Sequence, residues 1–148
     1  MRKVKVDWRE LEEAFELGQR GQSTYLDART GKVLAWTDEA TDTVELEGLV
    51  DEVAADPARY IEVTLPTDSD AWEQMMAFAR GVEDAAARER LEAALAGPDR
   101  VFRRFKDALL SLPALRARWF EAEAASRRQA ILAWLDAAGL EPESPPPW

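Results

Sequence analysis

The chain contains no cysteine and no histidine. Without cysteine there are neither disulfides nor thiolate metal sites. Without histidine it also lacks the commonest zinc ligand and the side chain that most often moves protons near neutral pH. Together the two absences remove the most reactive nucleophile and its usual base, so no catalytic residue, cofactor or metal ion is expected and the balance tilts away from an enzyme. No Gly-rich phosphate loop, nucleophile elbow or paired-carboxylate motif is present. The start, "MRKVKVDWRE", is basic but has no apolar segment behind it, and no run approaches membrane length. A cytoplasmic protein is expected.

Positive charge is also scarce. Nineteen basic side chains stand against 29 acidic ones, a formal net charge of -10. This balance discourages nonspecific attraction to nucleic acid or to an anionic membrane. The deficit is uneven: residues 1–97 hold 11 basic and 22 acidic side chains, residues 98–148 hold 8 and 7. The break falls at Gly97-Pro98, a pair suited to ending one helix and starting another.

What is present is a foldable chain: 148 residues, 47% of them hydrophobic, with six tryptophans. That length fits one domain with a core of its own. "VDWRELEEAFEL" sets Trp8, Leu11 and Phe15 at helical spacing, with Asp7 as N-cap and Gly18 as stop. "STYLDARTGKVLAWT" reads as a β-hairpin over residues 23–37, Gly31 giving the positive φ of a three-residue turn. "DTVEL" is a candidate third strand, "LEGLVDEVAADP" a short helix, and "ARYIEVTLP" a strand closed by Pro66. From Thr67 the pattern turns helical. Thr67 and Asp70 form a capping box, and Trp72, Met75, Met76, Ala79 and Val82 make one stripe. "EDAAARERLEAALAG" follows, with Gly97 as its C′ residue. Ser126 and Gln129 suggest a second capping box that divides residues 113–139 into two helices, the last ended by Gly139. The expectation is an α+β fold: a small antiparallel sheet followed by a C-terminal bundle of about four helices. Residues 1–140 form one domain (1–66 mixed, 67–140 helical), and 141–148, "EPESPPPW", form a Pro-rich flexible tail.

The stretch "GPDRVFRRFKDALLSLP" concentrates cations. On a helical wheel from Pro98 to Leu112, Val101, Phe102, Phe105, Ala108, Leu109 and Leu112 share one buried face. Arg100, Arg103, Arg104 and Asp107 lie opposite, with Lys106 at the flank. Two readings compete: a solvated face whose arginines pair with carboxylates of the acidic half, or a phosphate-binding surface. The first is favoured, because periodicity buries the aromatics that single-strand binders expose for stacking. A protein partner remains a third use of the same arginines. The acidic stretches "TDSDAWE" (Asp68, Asp70, Glu73) and "WTDEATDTVELE" (Asp38, Glu39, Asp42, Glu45, Glu47) lack the spacing of a calcium loop and read as a helix start and a solvated loop. Tyr25, Asp27 and Lys32 at the hairpin are explained by strand alternation.

"YLDARTGKVLAW", "RYIEV", "FRRFKDAL", "RWF" and "AILAWLDAAGL" together resemble a bacterial group, uncharacterised protein family 0158, over residues 20–140. The most specific part is Phe102 to Asp107 with Trp119 downstream. The resemblance implies a single-domain architecture and brings no activity, cofactor or site with it. The expected function is a non-enzymatic protein–protein interaction or regulatory module, with Arg100, Arg103, Arg104, Lys106 and Trp119 as candidate binding residues. The alternative is a nucleic-acid-associated regulator using the Arg100–Lys106 face. No membrane partner is expected, and a homo-oligomer is left open.

Overall fold

The computed structural model describes residues 1–18, 21–37 and 44–148. The described fold is α+β, and its contacts divide it into two compact units: Met1–Leu65 with Arg127–Trp148, and Pro66–Ser126. Residues 127–140, expected with the helical part, belong to the first unit.

In the first unit, β1 (Arg2–Val4) leads to α1 (Trp8–Leu17), which Asp7 caps by accepting a bond from the Glu10 amide at 3.1 Å. The hairpin follows as β2 (Gln22–Asp27) and β3 (Val33–Thr37). Its turn is longer than expected: the Asp27 amide bonds the Lys32 carbonyl, enclosing four residues, and Gly31 N–H returns to the Asp27 carbonyl at 2.8 Å. Gly31 has φ 80°, and a Cβ there would meet the Val6 amide nitrogen at 2.9 Å. Both the left-handed backbone and the close approach call for glycine.

The candidate strand "DTVEL" is corrected. Asp42 and Thr43 lie outside the described residues, and Val44 begins α2 (Val44–Ala55). Leu46, Leu49, Val50 and Val53 recur at i, i+3, i+4 and i+7, a helical period that outweighs the short apolar run. These residues pack with Trp36 and Tyr60 in a small core. The third strand of the sheet is instead β4 (Tyr60–Glu62), antiparallel to β2 in the order β3-β2-β4.

In the second unit, α3 (Asp68–Arg80) starts with the expected capping box: Thr67 Oγ1 accepts from the Asp70 amide, and Asp70 from the Thr67 amide. Next come α4 (Ala85–Leu95), capped by Asp84, and α5 (Val101–Leu110). Met75, Ala79, Leu91, Leu95, Phe105, Leu109 and Trp119 form the core. One expectation at the α4–α5 junction is corrected. Helix α5 begins at Val101, three residues after Pro98, because Arg100 holds a left-handed backbone (φ 54°) at the N-cap with no side-chain cap bond. Gly97 holds the expected C′ position after the C-cap Ala96, though without a positive φ. What it provides is room, since a Cβ there would collide with the Arg104 guanidinium.

Two further corrections concern the C-terminal segment. Helix α6 (Pro113–Ala137) is continuous through Ser126 and Gln129. Its Ala, Arg and Glu content favours helix at every turn, which outweighs one potential cap. The tail is not free of packing. Leu140–Pro142 form β5, paired in parallel with β1, and the Glu143 amide donates to the Val4 carbonyl at 2.8 Å. Trp8 Nε1 donates to the Ser144 carbonyl, and the Trp148 ring meets Trp8 edge-on at 5.3 Å. Arg128 covers the same Trp148 ring at 5.2 Å. Proline prevents helix here but not docking, and an aromatic ring with two partners outweighs the absence of periodicity.

Candidate functional site

The five candidate binding residues separate into two kinds. Arg104 and Trp119 work inside the fold. Arg104 Nε donates to the Ala94 carbonyl at 3.0 Å and its Nη1 to the Asp99 carbonyl, so the guanidinium satisfies one carbonyl at the end of α4 and one in the linker to α5. The expected bond to a carboxylate is thereby replaced by bonds to main-chain oxygens. Helix ends present unpaired carbonyls at a fixed place, whereas among the described residues no carboxylate pairs with this guanidinium. Nη2 is buried without an acceptor among the described residues. Trp119 is 1% exposed and packs edge-on against Phe105 (5.1 Å) and Phe78 (5.3 Å). Its indole N–H has no acceptor among the described residues.

Arg100, Arg103 and Lys106 face solvent. Among the described residues Arg103 pairs with its i,i+4 neighbour Asp107, at 3.9 Å with the two side chains 73% and 63% exposed. Such a pair contributes a few tenths of a kcal/mol. Phe105 is fully buried and Phe102 half-buried, so α5 itself presents no exposed ring beside its cations.

Next to it, between α5 and the start of α6, lies a groove of about 180 Å³. The buried Leu109 and Trp119 line it together with Leu110 and Phe120, which are 63% and 49% exposed. Lys106, Asp107, Arg116 and Glu123 supply the charged lining, and the Arg116 guanidinium stacks over the Phe120 ring at 4.9 Å. Leu110, Arg116, Phe120 and Glu123 were not singled out by the sequence pattern. No local signal marked them, since adjacent helix positions are only about 100° apart and can share a buried face, as Trp134 and Leu135 do.

The polar residues of the first unit have internal work. Asp27 accepts two parallel bonds from Arg59, at 3.0 and 2.9 Å. That guanidinium, against the opposing effect of burial, holds the Asp27 carboxyl down at about 2. Lys32 pairs with Asp7 at 2.8 Å, which lowers the Asp7 pKa, and Tyr25 stacks on Trp36. A second cavity, of about 220 Å³, lies between α1 and the hairpin, with Glu10, Glu13, Leu17 and Val33 in its wall. Asp68, Asp70 and Glu73 open α3, where Asp70 completes the capping box. Asp38, Glu39 and Asp42 lie outside the described residues. Among the described residues, no group of three carboxylates is placed to hold a metal ion, and no helix is long and apolar enough to cross a membrane.

These observations define an α+β protein whose accessible feature is a charged, apolar groove on a helix pair. The chain belongs to the uncharacterised protein family UPF0158, whose model matches residues 1–144. It is 32% identical over 142 residues to "UPF0158 protein PA5073" of Pseudomonas aeruginosa, a match that covers 96% of this chain and 88% of that protein. No solved structure matches. The family pattern thus extends beyond the expected 20–140 and takes in β1, α1 and β5.

Proposed function

We propose that the protein is a cytoplasmic, non-enzymatic interaction module that docks another protein on the α5–α6 groove of its second unit. The observation that carries this reading is the pairing of Leu110 and Phe120, two large apolar side chains left about half exposed or more on one groove, at 63% and 49%. Isolated surface apolar residues are ordinary, but two that share a concavity with buried aromatic and aliphatic neighbours form the kind of centre that interface energetics favour. The volume supports a side-chain knob better than a small ligand, whose pockets run to roughly 300–1,000 Å³.

The nucleic-acid reading draws on one observation, the exposed Arg100, Arg103 and Lys106. Buried aromatic partners and the net charge of -10 weigh against it. Two measurements separate the readings: protein capture by the parent and by a Leu110→Ser/Phe120→Ser variant, and titration of both with mixed oligonucleotides at low salt. Interaction reading expects proteins, copies of this chain included, to be retained by the parent and lost by the variant, with flat oligonucleotide titrations. Salt-sensitive oligonucleotide binding that disappears on Arg100→Ala/Arg103→Ala, or capture indifferent to the serine pair, would overturn it.

A further inference from the structure

Near its start α6 reads Arg116-Ala117-Arg118-Trp119-Phe120-Glu121-Ala122-Glu123, exposed except for the buried Trp119 and the half-buried Ala122 and Glu123. About the point between Trp119 and Phe120 this octapeptide is antisymmetric in charge. Arg116 mirrors Glu123, Arg118 mirrors Glu121, Ala117 mirrors Ala122, and the two aromatic residues mirror each other. When two copies of a helix meet antiparallel across a two-fold axis, each residue faces its mirror position. Every cation would then face a carboxylate of the other copy, twice over.

The helical period puts this pattern where it can be used. At about 100° per residue, Ala117, Phe120 and Ala124 share one stripe, Arg116 and Glu123 lie along one flank, and Arg118 and Glu121 along the other. A two-fold axis crossing the stripe keeps each flank on its own side, so both sets of pairs close together. Arg116, Ala117, Arg118, Phe120 and Glu121 are exposed. The alanines leave room for two helices to approach, and Phe120 supplies the apolar centre beside the groove of Leu110 and Trp119.

Within the chain Arg116 stacks over the Phe120 ring at 4.9 Å, a contact that does not set the order of these charges. Among the described residues no ion pair takes up Arg116, Arg118, Glu121 or Glu123. Helix α6 has no acidic residue in its first turn and no basic one in its last. Cations before carboxylates run against the helix dipole, and Arg ahead of Glu is the poorer order for pairing within a helix. We infer that the partner of this face is a second copy of the chain, joined as an antiparallel, two-fold α6–α6 dimer centred on Phe120. The inference deepens the docking reading and rests on it. It also fits the electrostatics, for two copies at -10 repel on average while this stretch carries two cations and two anions.

The test is sedimentation of the full chain across a concentration series, with charge-reversed variants at the exposed Arg116 and the half-buried Glu123, neither of which belongs to the core. The parent is expected to dimerise in the micromolar range, as suits a small interface. Arg116→Glu or Glu123→Arg alone sets like charges face to face at two symmetric places and weakens the dimer at least about tenfold. The double variant Arg116→Glu/Glu123→Arg restores opposite pairing and returns to within about threefold of the parent. Phe120→Asp abolishes the dimer. A parent that stays monomeric to about 500 μM overturns the inference. So does a dimer indifferent to the single reversals, or a double variant as weak as the singles. A monomeric parent whose Leu110→Ser/Phe120→Ser variant loses a captured foreign protein refutes the dimer alone; capture indifferent to that variant refutes the docking reading beneath it as well.

Discussion

Gly97 and Arg104 form a coupled pair, and their coupling separates an arginine that builds the fold from one that binds a ligand. Arg104→Ala removes two bonds from a charged donor to the Ala94 and Asp99 carbonyls. Bonds to charged groups contribute more than neutral ones, but Asp99 is exposed and water can replace its share, so the expected loss is about 2 kcal/mol. Lysine would not rescue it, since an ammonium lacks the planar fork that spans both oxygens. Gly97→Ala puts a methyl where the guanidinium lies and drives that group off its carbonyls, at a cost of about 1–2 kcal/mol. In the Arg104→Ala background the obstacle is gone. Gly97 has no positive φ, so alanine there should then be neutral or stabilising by a few tenths of a kcal/mol. Urea unfolding of the four proteins gives the cycle directly, with an expected coupling of about 1–2 kcal/mol. Additive costs would refute the reasoning. So would an Arg104→Ala change no larger than that of Arg103→Ala, where only the exposed Asp107 pair is lost.

Two further outcomes follow from the first unit. The Asp27 carboxyl titrates at about 2 in the folded chain against 3.8 as its ordinary value, so its stabilisation is fully present above about pH 4 and is lost as pH falls through 2. Discounted for a partly solvated Arg59, that is about 1–2 kcal/mol; acid unfolding of Asp27→Asn should lack this component, and an unchanged acid limb would contradict the assignment. Trp148→Ala removes the edge-on contact with Trp8 and the Arg128 stack, and should lower stability by about 1–2 kcal/mol in thermal or urea melts. An unmoved midpoint would return the tail to a free segment.

Much of this fold was written in local pattern. Thr67 and Asp70 announced the start of α3, Gly31 the hairpin, and the spacing of Phe105, Ala108 and Leu109 the buried face of α5. These signals act within a few residues of their cause. What escaped depended on partners far along the chain. Trp148 docks on Trp8 and β5 pairs with β1, and no local period records either. Helix α6 escaped because its apolar residues change phase. Trp119 and Ile131 lie twelve positions apart, about a third of a turn out of register, so the one helix resembles two. The candidate site was legible as a region and misassigned in detail. "FRRFKD" marks α5, but the charge spacing alone does not show that Arg104 turns back onto α4 while Phe120, one helix later, stays exposed.

The central claim is that the α5–α6 groove is where this protein meets another protein. It is tested most directly by placing a photoreactive amino acid, in living cells, at Leu110, at Phe120 and at the exposed Glu89 of α4. Irradiation should give protein adducts from positions 110 and 120, among them a species at twice the chain mass, and none from position 89. Adducts from position 89 alone, or nucleic acid in place of protein on positions 110 and 120, would contradict the account.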